Sequence, residues 1–204
     1  YVQQRIFSID DFNISDVGGL FRAASGMAGS DGNQELQIVD SSAGEVFMSV
    51  STNPESRTVF FYPSGALLPI LDFNTEGGIR DGLADVIGSR SSALAIGVQS
   101  NLGAWLDLTG STTTTIRRLR TATVPVTINE RSQRSDLPTF SVSRLHPEVI
   151  WQVLDQARQR GDFDAGTRWQ VTVDDRSRLG VPRMYFTVGN DSFVTDLEGH
   201  EITP

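Results

Sequence analysis

Two segments of the chain carry apolar residues at the spacing of an amphipathic helix. The first stripe is Val17, Leu20, Phe21 and Ala24, and the second is Ile150, Val153, Leu154 and Ala157. Both follow the i, i+3, i+4, i+7 pattern, which places apolar side chains on one helix face. We therefore expect two helices that bury these faces against a sheet.

The residues flanking each stripe predict where the helix begins and ends. The second helix has His146 at its N-cap, Pro147 at its first position and Gly161 at its end, which suits the preferences of helix termini. The first helix contains three glycines, each costing roughly 0.5–1 kcal/mol relative to Ala in a helix interior: Gly18, Gly19 and Gly26. We expect it to be the shorter helix, or to pack its backbone closely on the sheet.

The similarity of the two segments extends beyond the helices and indicates an internal repeat. The matched runs are Phe7-Ser8-Ile9 with Phe140-Ser141-Val142, Leu36-Gln37-Ile38 with Trp169-Gln170-Val171, Phe47-Met48-Ser49-Val50 with Tyr185-Phe186-Thr187-Val188, Val59-Phe60 with Phe193-Val194, and Gly65 with Gly199. This predicts an α+β fold with a mainly antiparallel sheet. Residues 1–65 and 139–204 would form two diverged strand-helix-meander units with a pseudo-twofold relation.

Residues 66–138 form the predicted connection between the two units. A short helix is expected around Ile79, Leu83, Val86 and Ile87, and strands are expected at 93–98, 104–108 and 124–128. Since the connection is too rich in apolar runs for a linker, we expect the whole chain to form one compact domain.

Composition excludes several kinds of site. The chain has no Cys, and all 17 basic residues are Arg, which excludes disulfides, thiolate metal sites and Lys-dependent chemistry. The net charge of −8 argues against nucleic-acid binding. The apolar runs are too short for a membrane span, so we expect a soluble protein. The chain starts at Tyr1, and we expect a processed product or part of a longer one.

The candidate catalytic groups are few. The two histidines, His146 and His200, are more simply a helix cap and a turn residue than catalytic bases. Three acidic clusters have the composition of carboxylate pairs for glycoside hydrolysis or of Ca²⁺ ligands: Asp10-Asp11, Asp162-Phe163-Asp164 and Asp174-Asp175. Because Asp favours turns and strand ends, we interpret all three as structural and expect no metal and no cofactor.

An arginine-rich run and an aromatic run are the candidate partner-binding features. Arg117, Arg118 and Arg120 lie in a predicted strand, which places Arg118 and Arg120 on one face. They would pair with carboxylates or phosphates, or else form a charged edge strand that resists aggregation. The three consecutive aromatics Phe60, Phe61 and Tyr62 cannot all point to one face of a strand, so at least one faces a second layer or a partner.

A strand, turn and strand pattern resembles one protein family. Residues 37–47 (QIVDSSAGEVF) and 59–63 (VFFYP) are similar to the meander of EspG-type chaperones of actinobacterial type VII secretion. The resemblance implies a pseudo-twofold α+β fold that binds secreted PE/PPE proteins in the cytosol without catalysis. The chain departs from the family pattern by having Val59-Phe60 in place of a Trp, and Ala66-Leu67-Leu68-Pro69 where the family has a long helix.

These observations favour a non-enzymatic protein-binding module, with a secretion chaperone or adaptor as one form of it. Two alternatives remain open, namely a structural subunit of a virion or envelope assembly and a carboxylate-dependent hydrolase. The chaperone interpretation implies a cytoplasmic location, and the assembly interpretation implies an exported or virion protein. The partner's identity and the oligomeric state are not encoded in any recognisable motif.

Overall fold

A computed structural model describes residues 7–30, 32–41, 43–53, 57–161, 164 and 166–202. The chain divides into two compact units, one of Tyr1–Ile70 with Thr123–Pro125, the other of Leu71–Ala122 with Val126–Pro204. The described residues hold three α-helices and twelve strands, and every pairing between strands is antiparallel. This confirms the expected α+β class with a mainly antiparallel sheet. None of the helices in this part of the chain has the length and apolar composition of a bilayer-spanning segment.

In the first unit, one helix packs on a three-stranded sheet. Helix α1 spans Val17–Ala28, and strands β1 (Asn33–Asp40), β2 (Val46–Asn53) and β3 (Arg57–Phe61) lie in the order β1-β2-β3. The buried core between the helix and the sheet consists of Phe12, Leu20, Ala24, Met48, Val50 and Phe61. The first predicted helix stripe thus supplies Leu20 and Ala24 to this core, while Phe21 packs against it.

Helix α1 is the shorter of the two predicted helices, as expected, but only by one residue. The helix has 12 residues against 13 in the second repeat. Gly18 and Gly19 lie in its first turn, where the Asp16 carboxylate accepts a hydrogen bond from the Gly19 N–H at 2.7 Å. A Cβ on Gly19 would lie 2.4 Å from that carboxylate, so Gly19 makes room for the cap rather than for the sheet. Gly29 ends the helix in the left-handed region, with φ 71°.

The strand expected at Phe7-Ser8-Ile9 is instead the start of a 3-10 helix, Ile9–Asp11. A capping box explains the difference: the Ser8 hydroxyl accepts from the Asp10 N–H, and the Asp11 carboxylate accepts from the Ser8 N–H. In the second repeat, Phe140–Ser141 is a two-residue strand and Val142–Arg144 is again a 3-10 helix. Local side-chain hydrogen bonds therefore prevail over the short apolar alternation.

The second unit is built on a seven-stranded sheet. Helix α2 spans Glu76–Ile87, and it precedes strands β4 (Ser92–Ala93), β5 (Ala95–Gln99), β6 (Gly103–Thr109), β7 (Thr115–Arg120), β8 (Thr127–Arg131) and β9 (Phe140–Ser141). Helix α3 spans Pro147–Gln159, followed by β10 (Trp169–Asp174), β11 (Arg183–Val188) and β12 (Asp191–Thr195). The sheet order is β12-β11-β10-β5-β6-β7-β8, and β4 pairs with β9. The predicted connection thus supplies α2 and four of the seven strands.

Two glycines allow close packing at the centre of this unit. A Cβ on Gly97 of β5 would lie 2.5 Å from the Val171 carbonyl oxygen, and one on Gly82 of α2 would lie 2.4 Å from the Phe73 ring. Because real Cβ atoms do not approach so closely, only glycine lets β10 and the Phe73 ring pack at these distances. Helix α2 packs on β5, β6 and β7.

Helix α3 buries the second predicted stripe, since Ile150, Val153, Leu154 and Ala157 are all buried. His146 is its N-cap and Pro147 its first residue, as expected. The His146 side chain makes no capping hydrogen bond, so the start of the helix is defined by proline and backbone geometry. Helix α3 packs on α2.

The two repeats share backbone turns in detail. After β3, the Tyr62 N–H donates to Ala66 and the Gly65 N–H to Tyr62; after β12, the Asp196 N–H donates to His200 and the Gly199 N–H to Asp196. Gly65 and Gly199 both have left-handed φ angles, 86° and 89°. Each turn is followed by an isolated bridge to the preceding strand, Phe61 with Leu67 and Thr195 with Glu201. The order of elements from 3-10 helix to meander is the same in both, while the pseudo-twofold relation stays a prediction.

Candidate functional site

The arginine run lies on β7, and the strand places its members on opposite faces as predicted. Arg118 and Arg120 are buried, with 7% and 1% of their surface exposed, while Arg117 is half-buried. The alternative of a charged edge strand is wrong, because β7 lies between β6 and β8. What covers Arg118 and Arg120 is helix α2, which packs on this strand.

Arg118 binds the last turn of α2. Its Nε donates to the Val86 carbonyl at 2.6 Å and its Nη2 to the Asp85 carbonyl at 3.3 Å. Helix C-termini leave carbonyls without intrahelical donors and carry partial negative charge. A guanidinium donates hydrogen bonds to these carbonyls and places a positive charge beside them. Arg118 therefore fastens the helix to the sheet.

Arg120 also connects β7 to the last turn of α2. Its Nε donates to the Asp85 carboxylate at 2.9 Å, and its Nη1 donates to the carbonyl of Thr121. A buried guanidinium with these partners is held inside the unit and is not presented to a ligand. Sequence reasoning had grouped Arg118 and Arg120 as partner-binding residues, and their burial corrects that assignment.

Arg117 lies on the other face and forms a local cluster there. Its Nε and Nη2 donate to the two Asp107 carboxylate oxygens, both at 2.6 Å, and its guanidinium stacks 4.0 Å from the Trp105 ring centroid. The ion pair is mostly shielded, with 18% and 13% of the side chains exposed. The geometry is that of a bidentate cross-strand pair, which stabilises the β6–β7 pairing.

The aromatic run of β3 separates by residue. Phe61 is 1% exposed and belongs to the core of the first unit, which corrects its assignment as a partner-binding residue. Tyr62 is 37% exposed and rests against Phe47, with ring centroids 5.8 Å apart. Phe60 is half-buried and points away from the core face of Phe61. Phe60 and Tyr62 are thus the two residues of the run whose side chains have surface exposed for contact with a partner.

Phe60 lines a groove of the first unit. The groove encloses about 600 Å³, and it is lined by Met27, Ala28, Arg57, Thr58, Val59, Phe60, Leu67, Leu68, Ile70, Thr123 and Val124. Three of its apolar side chains are well exposed: Met27 at 38%, Leu67 at 36% and Ile70 at 54%. The volume is within the usual range of binding pockets, and exposed apolar side chains gathered in one place are typical of binding surfaces.

The groove runs along the outer edge of β3, which is the end strand of its sheet. This edge is covered only in part: the Leu68 N–H donates to the Phe60 carbonyl and the Tyr62 N–H to the Ala66 carbonyl. Alternate residues of a strand present their backbone groups to the same edge, so Thr58 presents its N–H and C=O there as Phe60 does. Among the described residues no strand pairs with Thr58 on that side.

Arg57 lies at the beginning of the same edge, and it is the one charged residue among the described residues that line the groove. Its side chain is exposed, and its Nη1 donates to the Ala28 carbonyl at the C-terminus of α1, at 3.0 Å. The carbonyl orients the guanidinium without neutralising its charge. A positive group is thereby held at one end of an apolar groove.

Sequence reasoning identified Phe60 here but missed Met27, Arg57, Leu67 and Ile70. These residues come from three separate stretches of chain, and only the folded unit brings them together. The one sequence signal was Pro69 between Leu68 and Ile70. Because proline fixes its own φ and is disfavoured inside strands, a strand through Leu68 is expected to end near it.

The described carboxylates are structural where they are buried. Asp174 accepts two hydrogen bonds from the Arg176 guanidinium, at 2.8 and 2.7 Å. This ion pair, opposed by burial, raises the pKa of Arg176, which also stacks 3.7 Å from the Tyr185 ring. Asp175 accepts from the Leu179 and Gly180 N–H groups, both at 2.9 Å, and so shapes the β10–β11 loop. That loop exposes Leu179 at 64% and Val181 at 47%.

The remaining candidates for chemistry that the structure describes are on the surface. Asp10 and Asp11 are exposed in the 3-10 helix, and Asp162 and Phe163 lie outside the described residues. Within the part of the chain that the structure describes, no group of three acidic or His side chains is arranged to hold a metal ion. The His146 and His200 side chains are 60% and 80% exposed and lie beside Glu148 and Asp196.

The His200 turn lowers the pKa of Asp196. Burial alone would raise this pKa, but the hydrogen bonds donated to the carboxylate by the His200 backbone and ring, and by the Glu198 backbone, outweigh it. The His200 and Glu198 N–H groups lie 2.8 and 3.0 Å from Oδ1, and His200 Nδ1 lies 3.1 Å from Oδ2. His200 is thus a turn residue, as the sequence suggested.

No family model matches the chain, and neither a curated protein nor a solved structure is significantly similar to it.

Proposed function

We propose that this chain is a non-enzymatic module that binds another protein, and that the groove beside β3 is its binding surface. The observation that carries the proposal is the coincidence of exposed apolar side chains with an open strand edge in one groove. Apolar and aromatic side chains with few charges characterise the centres of protein interfaces. Met27, Phe60 and Ile70 would form that centre.

The resemblance to EspG-type chaperones adds a class of partner to this proposal. If the chain acts as such a chaperone or adaptor, the partner is a secreted protein and the location is the cytoplasm. The structural-subunit alternative uses the same kind of surface but repeats it in a large assembly. The hydrolase alternative needs two carboxyls free to react, whereas Asp174 and Asp175 are both engaged in hydrogen bonds; this favours binding.

The proposal is tested by affinity purification from the source cells with a pair of matched variants. Ile70→Asp places a charge in the groove, whereas Leu179→Asp places one on an equally exposed apolar residue of the other unit. Both residues are on the surface, so both variants should melt within a few degrees of the wild type. We expect one partner to co-purify with the wild type and with Leu179→Asp, but not with Ile70→Asp. Loss of the partner from Leu179→Asp alone would move the binding site to the β10–β11 loop.

A further inference from the structure

We infer that the groove receives an extended segment of the partner as an added strand on β3, and that this segment carries an acidic side chain beside Arg57. The inference rests on the proposed binding function and specifies its partner. The segment would consist of apolar residues with one carboxylate at the end that meets the start of β3.

The backbone of β3 supports strand addition over the docking of a helix. Thr58 presents its N–H and C=O to the groove, and its edge is unpaired among the described residues. An extended chain can satisfy both groups, whereas a helix has already used its own backbone donors and acceptors. The chain itself begins this pairing, since Leu68 donates to Phe60. The pairing does not reach Thr58, because the Ile70 N–H, which is next in this register, makes no hydrogen bond to it among the described residues.

The side chains around that edge define what the added strand carries. Successive residues of a strand point to opposite sides, so alternate residues of the segment would face the exposed apolar lining, which includes Met27 and Ile70. Among the described residues that line the groove, Arg57 is the charged one, so it sets the electrostatic preference of this part of the groove. Its guanidinium is exposed and oriented by the Ala28 carbonyl, which leaves other N–H groups to donate to a carboxylate.

Charge complementarity makes this preference selective. The chain as a whole carries a net charge of −8, so an acidic segment is repelled by most of the surface and finds one cation in the groove. A basic segment would be attracted to the surface in general but would meet Arg57 at this site. The position of Arg57 therefore converts a generic apolar groove into one that discriminates by charge.

The test is selection from a random octapeptide display library on the full chain, repeated on Ile70→Asp and Arg57→Glu. We expect the wild type to enrich apolar peptides with one Asp or Glu, Ile70→Asp to lose that enrichment, and Arg57→Glu to exchange the acidic residue for Arg or Lys. The highest-ranked peptide is then synthesised with N-methyl groups on alternate amides. One of the two methylation patterns should weaken binding at least tenfold, because it removes the donors that face β3.

Hydrogen exchange with the same peptide supplies a direct readout: the Thr58 amide should exchange at least tenfold more slowly when the peptide is bound. Arg57→Gln serves as a second variant if Arg57→Glu melts early, and it should weaken selection for acidic residues without creating selection for basic ones. If peptides bind in an Ile70-dependent way but ignore both Arg57 and N-methylation, the added strand is wrong and the binding function stands. If no Ile70-dependent peptide emerges and Ile70→Asp also keeps its partner in cells, the binding function itself fails.

Discussion

Single guanidinium groups connect helix and sheet in the second unit. Arg118 donates to the final carbonyls of α2, and Arg120 pairs with Asp85 on the same turn. Both guanidinium groups are buried, but the Asp85 side chain is 41% exposed, so the Arg118 contact with Val86 is the better shielded from water. Removing a buried donor leaves its acceptor unsatisfied, which typically costs more than the net value of the hydrogen bond.

Arg118→Leu should therefore lower the free energy of unfolding by about 1–3 kcal/mol, as expected when a buried acceptor loses its donor. Urea denaturation measures the change. Arg80→Leu is the matched control, because Arg80 lies on the same helix with its side chain 62% exposed. The control should change stability by less than about 0.5 kcal/mol. Equal effects of the two substitutions would show that Arg118 does not fasten the helix.

Asp196 gives the second unit a dependence on pH. Its folded-state pKa lies below the ordinary value, so the ionised carboxylate stabilises the turn above about pH 4, the ordinary range of an Asp. This stabilisation is lost as the pH falls through the lowered folded-state pKa. The difference in unfolding free energy between the wild type and Asp196→Asn should be largest near neutrality and should shrink steadily on acidification. A difference that stays constant with pH would contradict the assigned hydrogen bonds.

At the scale of elements, the β10–β11 loop is shaped by one carboxylate. Asp175 is 3% exposed and accepts hydrogen bonds from the backbone of Leu179 and Gly180. Arg178 adopts a left-handed φ of 56° in the same loop and donates to the Asp136 carbonyl. The strain of a non-glycine residue in this region persists because the surrounding contacts impose it.

Asp175→Ala should lower the unfolding free energy by about 1–3 kcal/mol, because the loop loses the two hydrogen bonds that the buried Asp175 carboxylate accepts from the Leu179 and Gly180 N–H groups. It should also accelerate amide exchange at Leu179 and Gly180 without affecting α1. Asp191→Ala is the control, since Asp191 is an exposed residue at the start of β12. An Asp175→Ala variant with unchanged exchange in the loop would mean that the loop is held by its other contacts.

The elements that the sequence predicts well are those with a strong period or a clear terminator. The α3 stripe is buried as expected, and α2 and the meander strands follow the predicted apolar runs. The strand prediction at Phe7-Ser8-Ile9 is wrong, because a three-residue alternation is a weaker determinant of structure than the Ser8 capping box. The groove was not predictable, because Met27, Arg57 and Ile70 have no periodic relation and meet only through the tertiary fold of their unit.

At the scale of the whole molecule, particle size in solution separates the proposed function from the structural-subunit alternative. A binding module should elute as a monomer or dimer in size-exclusion chromatography with light scattering, whereas an assembly subunit should form large particles. Particle size is measured on the purified chain at several concentrations, because assembly depends on concentration. Large particles that persist on dilution would favour the structural subunit.

We expect no bound metal, so a chelator should leave the melting temperature unchanged. Removing a bound metal would lower it, because a metal stabilises the folded state that holds it. The chain lacks Cys and has two His, and no suitable side-chain group is formed among its described residues. The measurement is differential scanning fluorimetry with and without EDTA. A drop of several degrees that one added metal restores would show that a carboxylate cluster binds metal.

Chemical modification of the buried arginines of β7 would report on local unfolding of the second unit. Because the chain contains no Lys or Cys, a dicarbonyl reagent such as phenylglyoxal meets guanidinium groups as its main targets. Exposed groups such as Arg80 react at once, whereas Arg118 and Arg120 react only when α2 separates from β7. The order in which mass spectrometry detects the modified peptides would therefore follow the local unfolding of this junction in the native protein.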